Sequence, residues 1–292
     1  METKELMDAR ELLRQQPGGK EALSVVEKSW EEECRGAGLY PQTLFHFTDK
    51  KGLLGILESN FRITYSLERI ECITSKGESE LPINREFGAP MVSFCDLRLS
   101  ELRVHMRDYG NYGIGMSKKW AIEKGLNPVY YISSQAKLLE QYIESMSDMF
   151  GLMMSSDSDS LSAPYHRLLN FYRYLKNYDA PLYRRGGLVR KSHRFANERE
   201  WRFVPPIDDI ATSFVAKDVM LDSEKKGAMN EKFLDSPLVF DPKHINYVIV
   251  RKDAERDEII DHIENAKKKY PVDELVRLKS RILTAAQIRD DV

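Results

Sequence analysis

Cysteine is scarce in this 292-residue chain: Cys34, Cys72 and Cys95 stand far apart. That excludes a disulfide framework and a structural zinc site, which need paired ligands at short spacing. Long apolar runs are missing too. No stretch reaches the roughly 18 residues of a membrane-spanning helix, and Met1-Glu2-Thr3-Lys4-Glu5 leads into no signal-peptide core. A cytoplasmic protein with no membrane partner is therefore expected. An excess of positive charge is also lacking: the formal net charge of -2 excludes a globally basic coat, so any anionic partner must be held by a local patch. Phosphate-binding loops of the Walker or dinucleotide kind and a serine nucleophile elbow are absent, so a nucleotide would need another architecture.

What is present is a chain of 42% hydrophobic and 31% charged residues, the composition of a folded globular protein with room for a sizeable core. Residues 1–40 are rich in Glu, Lys, Leu and Ala and are split by Pro17-Gly18-Gly19, which predicts a helical arm of two amphipathic segments. The period then changes. Leu44–Thr48 reads as a strand, Asp49 as a helix cap and Lys51–Glu58 as a short helix. Further strands are predicted at Phe61–Tyr65, Pro90–Cys95, Tyr112–Met116, Pro128–Ile132, His244–Val250 and Lys279–Ile282. Helices are predicted at Leu99–Tyr109, from the Ser117 cap to Lys124, at Ser134–Met154, Ala163–Lys176 and Asp253–Lys268. The low-complexity stretch Ser155–Ser160 reads as a loop. The fold class is α+β: one domain over 41–292, with a helical insertion around 134–178.

"HRFANEREWRFVPP", His193 to Pro206, carries the densest chemistry. If Glu198–Val204 is extended, Glu198, Glu200 and Arg202 share one face and Trp201 and Phe203 take the core face. Two carboxylates two residues apart lie about 7 Å from each other, near enough to act on neighbouring hydroxyls of one substrate. The alternative is a structural pair of exposed glutamates neutralised by Arg202. Just upstream, Arg184, Arg185, Arg190, Lys191 and Arg194, with His193, surround Gly186-Gly187 without an acidic residue. Such a loop suits a phosphate-bearing ligand, because guanidinium forks bind phosphate oxygens bidentately; a merely solvated basic loop is the other reading.

His46 shares a strand face with Thr48 and offers a ring donor beside a hydroxyl, although a lone histidine between Phe45 and Phe47 is more often a core residue. Ser93 and Cys95 alternate out from Phe94. Cys95 has no local histidine to activate it. Tyr112, Tyr130 and Tyr131 either pack the core or offer faces to a flat heterocycle.

The segments "LFHFTDKKGLLGILESNFRITYSLE" (44–68), "MVSFCDLRLSELRVHMRDYGNYGIGMSKKWAIEKGLNPVYYI" (91–132), "FANEREWRFVP" (195–205) and "ILTAAQIRDDV" carry a resemblance. In this order they resemble the AbiGi family of abortive-infection phage-resistance proteins and, over fewer positions, the ADP-ribosyltransferase fold. That resemblance implies a mixed β core of two packed small sheets with helical insertions. It implies NAD as ADP-ribose donor, no metal, and His46 and Thr48 holding the NAD. Arg62 or Arg69 would meet the pyrophosphate, and Ser93 supplies the middle-strand hydroxyl, within Ser-Phe-Cys where the fold's pattern is Ser-Thr-Ser. Tyr112 takes the place of the tyrosine in His-Tyr-Glu transferases. Glu200 would stabilise the positive charge developing at the ribose C1′, and Glu198 would position or deprotonate the acceptor. Arg190, Lys191, His193, Arg194 and Asn197 would meet the target. The function implied is an ADP-ribosyltransferase toxin of an anti-phage toxin-antitoxin system, acting on nucleic acid, RNA first, and answered by a cognate antitoxin protein. Three alternatives stand beside it: a non-catalytic antitoxin or interaction protein, an NAD-consuming hydrolase or RNA 2′-phosphotransferase, and a protein-directed transferase.

Overall fold

Alternating side chains of Thr43–Thr48 (β1) give the sheet its two faces: Leu44 and Phe45 are both buried, but in different cores. The computed structural model describes residues 41–73, 86–155, 161–184, 187–206 and 210–291. The helical arm read over 1–40 and nearly all of the low-complexity loop lie outside the described residues.

Thirteen strands are described: β1; β2, Thr64–Arg69; β3, Glu86–Cys95; β4, Tyr112–Ser117; β5, Asn127–Pro128; β6, Tyr130–Ile132; β7, Leu175–Asn177; β8, Ala180–Arg184; β9, Gly187–His193; β10, Glu200–Phe203; β11, Val215–Ala216; β12, Ile245–Val250; and β13, Ile282–Thr284. Nine form one sheet with the path β13-β12-β4-β1-β3-β10-β5, while β2 and β11 pair with β3 off that path. Two small two-stranded sheets, β6-β7 and β8-β9, complete a mixed α+β architecture.

Strand β3 carries the chain from one set of partners to another. Its end, Val92–Cys95, pairs with β10, and Cys95 also faces Phe45 of β1. Its beginning, Glu86–Met91, pairs with β2. Pro90 falls between the residues opposed by β11 and those opposed by β10, a position where the ladder tolerates a missing donor.

Helices Lys50–Ser59 and Arg256–Ala266 cover one face of the sheet, with Leu53, Leu57, Ile259 and Ile263 packed on Leu44, Ile114, Val248 and Val250. Helices Leu102–Tyr109 and Ala285–Asp290 cover the other, where Leu102, Met106 and Ile288 meet Phe45, Cys95 and Ile249. The caps read from the sequence are made: Asp49 accepts from the Gly52 N–H at 2.7 Å, and Ser117 accepts from the Trp120 N–H at 3.3 Å. The insertion holds helices Lys137–Ser155 and Ser162–Tyr172, whose Leu139, Ile143 and Tyr172 pack on Phe87 and Met91 of β3.

Several expectations are corrected. The strand predicted from Phe61 runs instead from Thr64; Phe61 makes an isolated bridge to Leu238 and packs its ring on His46, Phe94 and Trp120. Lys176 belongs to a strand, β7, which runs parallel to β6. The loop around Gly186-Gly187 is flanked by the antiparallel strands β8 and β9. Lys279 ends a helix, Val272–Lys279, and the closing strand starts at Ile282.

Candidate functional site

The sheet register brings three distant residues together. Antiparallel pairing of β3 with β10 sets Ser93 opposite Arg202 and Cys95 opposite Glu200, and β1 lies on the other side of β3. The His46 Nδ1–H donates to the Ser93 carbonyl at 2.8 Å, which leaves Nε2 as an acceptor. The Ser93 hydroxyl donates to Glu200 Oε1 at 2.8 Å. His46 and Glu200, on the two neighbouring strands, are thus both tied to Ser93, one through its backbone carbonyl and the other through its hydroxyl.

Arg202, fully buried, locks Glu200 from the side. Its Nε donates to Glu200 Oε1 at 2.7 Å and its Nη2 to Glu200 Oε2 at 3.1 Å. The same Nη2 meets Glu68 Oε2 at 2.8 Å, and Nη1 donates to the Arg173 carbonyl at 2.7 Å. Lys176 completes the group, 2.9 Å from Glu68 and 3.8 Å from Glu200. Two carboxylates face two cations in a low-dielectric interior, where unpaired charge is prohibitive.

Burial alone would raise the Glu200 carboxyl, but the charges of Arg202 and Lys176 and the hydrogen bonds from Arg202 and Ser93 hold it down at about 2. Glu200 is therefore ionised at neutral pH. Burial holds His46 below the ordinary histidine range, with the Ser93 carbonyl opposing, so its imidazole is neutral. Burial, with Glu198 and Asp96 nearby, pushes the Cys95 thiol well up, which disqualifies it as a nucleophile at neutral pH.

The three residues open onto a cleft of about 720 Å³, within the usual range of roughly 300–1,000 Å³ for ligand pockets. Phe45, Phe47, His105 and Tyr109 form an aromatic side, and His105 stacks on Tyr109 with centroids 4.1 Å apart. Arg69, Lys176, Lys217 and Lys226 supply cations. Arg69 pairs with Glu71 at 2.5 Å and sits over the Tyr183 ring. The Glu71 edge is held by Asn177, which accepts from the Glu71 N–H and donates to its carbonyl.

The stretch around Glu198 folds differently from the extended reading. Phe195–Glu198 is a single 3₁₀ turn, and Arg199 follows at φ 45, a left-handed conformation costly for a residue with a Cβ. The turn takes Glu198 off the strand. Its Oε1 accepts from the Tyr109 hydroxyl at 2.6 Å and from His193 Nε2 at 2.8 Å. The rest of the alternation is as read: Trp201 and Phe203 pack half-buried against the main core, and Glu200 and Arg202 take the opposite face, where both are buried. The charged face is buried more deeply than the aromatic one because its charges pair with each other and with Glu68 and Lys176.

Of the other residues singled out, Arg69 lines the cleft and Thr48, Arg62 and Tyr112 do not. Thr48 ends β1 with its hydroxyl where a Cβ on Gly52 would stand, and Arg62 is exposed. The Tyr112 hydroxyl donates to Glu255 at 2.8 Å. Arg190, His193, Arg194 and Asn197 line a second, adjoining cavity of about 470 Å³, and Lys191 is exposed on β9. Glu68, Tyr109, Asp108 and Lys176 were not singled out from the sequence. Tyr109 carries a signal in hindsight, four residues after His105 on one helix face; Lys176 carries none. Among the described residues no cluster of three or more His, Cys, Asp or Glu is placed to hold a metal ion, and no helix is long and apolar enough to cross a membrane.

Fold and cleft together define a mixed α+β protein with a polar cleft whose lining includes a buried, ion-paired carboxylate. A family model described as "abortive phage resistance protein AbiGi, antitoxin" matches residues 60–251, well over half of the chain. The chain belongs to this family of abortive phage resistance proteins. The abortive phage resistance protein AbiGi of Lactococcus lactis subsp. cremoris is 26% identical over 247 residues, covering 78% of this chain and 97% of that protein. No solved structure matches the chain.

Proposed function

We propose that this protein serves abortive phage resistance as an NAD-dependent ADP-ribosyltransferase whose acceptor is nucleic acid, RNA before DNA. The observation that carries this reading is the joining of His46 and Glu200 through Ser93, with the ionised carboxylate at the floor of a cleft large enough for a dinucleotide. Glu200 Oε1 is filled by Ser93 and Arg202, whereas Oε2 has only the longer contacts to Arg202 and Lys176. Oε2 is thus the oxygen open to a ribose hydroxyl and to the positive charge that develops at C1′ as nicotinamide leaves. A preorganised charge of this kind is worth several kcal/mol in a water-poor site.

The rest of the cleft suits the same ligand. His46 Nε2 can accept from a ribose hydroxyl, the cations match a pyrophosphate, and the aromatic side matches a flat heterocycle. Incubating the chain with NAD labelled on the adenylate, together with RNA, DNA or cellular protein, tests the reading. Label on RNA that disappears in Glu200→Gln is expected. Label on DNA or protein would change the acceptor, free ADP-ribose alone would make the protein an NAD hydrolase, and intact NAD would remove the transferase.

A second reading is a non-catalytic antitoxin. It is favoured by the word antitoxin in the family's description and by the mutual neutralisation of Glu68, Arg202, Glu200 and Lys176, which needs no ligand. It predicts that NAD does not bind. It also predicts that expression relieves the toxicity of a partner protein instead of causing toxicity itself.

A further inference from the structure

Glu198 stands where two cavities meet. The cleft above Glu200 and the second cavity have three lining residues in common, His105, Tyr109 and Glu198. Beyond that boundary the second cavity is lined by Arg190, His193, Arg194 and Asn197.

A chain of side chains leads through it to Glu198. Asp108 accepts from Arg190 Nη2 at 2.5 Å, and Arg190 Nη1 lies 3.3 Å from His193 Nδ1. A guanidinium has only donors, so Nδ1 must accept, and the histidine's single hydrogen resides on Nε2. That hydrogen points at Glu198 Oε1, 2.8 Å away, and the Tyr109 hydroxyl approaches the same oxygen at 2.6 Å. Burial pushes the Asp108 carboxyl up, but the hydrogen bond and charge of Arg190 outweigh it, so the anchor of the chain is a firm anion. Two donors occupy one carboxylate oxygen and leave the other, Oε2, available.

We infer that His193 and Tyr109 are positioning residues that fix Glu198 so that its Oε2 takes the proton of an acceptor entering from the second cavity. This rests on the transferase reading and adds to it which atom acts, what holds that atom and from which side the acceptor comes. The acceptor class is an N–H or O–H group of a nucleotide within a nucleic-acid strand. Its phosphate is met by exposed Arg194, which has no ion pair among the described residues and lies 5.5 Å over the Tyr178 ring. In the step, the bond from ribose C1′ to nicotinamide breaks and its electron pair leaves with neutral nicotinamide. The acceptor's lone pair forms the new bond to C1′, and the acceptor's proton goes to Glu198 Oε2. No other reactant is needed.

The test measures nicotinamide release and label transfer to RNA side by side in the full chain, for wild type, His193→Ala, His193→Gln and Tyr109→Phe. In His193→Ala the kcat for transfer should fall by about 10²-fold, the lower end of what acid–base catalysis contributes, and nicotinamide release should fall far less. His193→Gln, whose amide N–H can reach the same oxygen, should recover most of the transfer, and KM for NAD should stay within about threefold in both His193 variants, while Tyr109→Phe, which removes the second donor to Glu198, should lower transfer more than nicotinamide release. Equal losses in both readouts, transfer at the wild-type rate in His193→Ala, or no recovery by His193→Gln would each overturn the inference while leaving the transferase standing. Absence of nicotinamide release from the wild-type chain overturns both.

Discussion

Replacing Glu200 by Gln keeps the size and an acceptor for Ser93 but removes one of two negative charges that face Arg202 and Lys176. In the fold the carboxyl titrates at about 2, against 4.5 ordinarily. That difference corresponds to about 3 kcal/mol of stability at neutral pH. Breaking a buried ion pair from one side gives an independent figure of about 3–5 kcal/mol. The two overlap, and for a domain of this size they amount to a fall in Tm of roughly 6–20 °C. The sign of the pH dependence follows from a folded value depressed below the unfolded one. The contribution is complete above about pH 4.5 and is lost as the pH falls through about 2. The gap between wild type and Glu200→Gln should therefore be full at pH 7 and shrink to less than half by about pH 3. Urea denaturation followed by tryptophan fluorescence at both pH values measures it. A gap below about 1 kcal/mol at pH 7, or one indifferent to pH, would show that Glu200 is not the charge that the buried arginine needs.

Tyr112→Phe removes a hydroxyl bound to Glu255 away from the cleft, and should cost about 1 kcal/mol of stability with NAD turnover unchanged; a large loss of turnover would return Tyr112 to the site. A Cβ at Gly115 would stand 2.8 Å from both the Phe45 ring and Thr43, between paired strands, so Gly115→Ala should cost about 1–3 kcal/mol in chemical denaturation. At Gly88 the atoms nearest the new methyl all belong to the flexible Met220 side chain, so Gly88→Ala should be tolerated better; the reverse order would refute the packing described. The labelling and His193 experiments described above complete the set.

Much of the fold was legible locally. Leu44–Thr48 and Tyr112–Met116 alternate or carry strand-permissive glycines, and Asp49 and Ser117 are caps whose side chains need only their own backbone neighbours. Such signals survive because they depend on contacts within a few residues. The antiparallel strands Ala180–Arg184 and Gly187–His193 were not legible, since the second is exposed and carries Arg190, Lys191 and His193 in place of the apolar alternation that marks a half-buried strand. The strand predicted from Phe61 failed for another reason: Phe61, Ile63 and Tyr65 alternate as a strand should, but β3 pairs with the later residues and Phe61 is claimed by the aromatic core.

The sequence alone determined the mixed α+β class, the two capped helices and the local crowd of charge from Arg184 to Arg202, and it offered His46, Ser93 and Glu200 as candidates. Only the tertiary structure decided that His46 and Glu200 both hydrogen-bond Ser93, because the register of β1, β3 and β10 joins positions 47 and 107 residues apart. It also decided that Glu198 and Glu200 part company. Left-handed Arg199 turns one toward His193 and Tyr109, and Arg202, Glu68 and Lys176 hold the other inside. Charge balance in a buried space is set by what the fold gathers from far along the chain, and no local pattern records it.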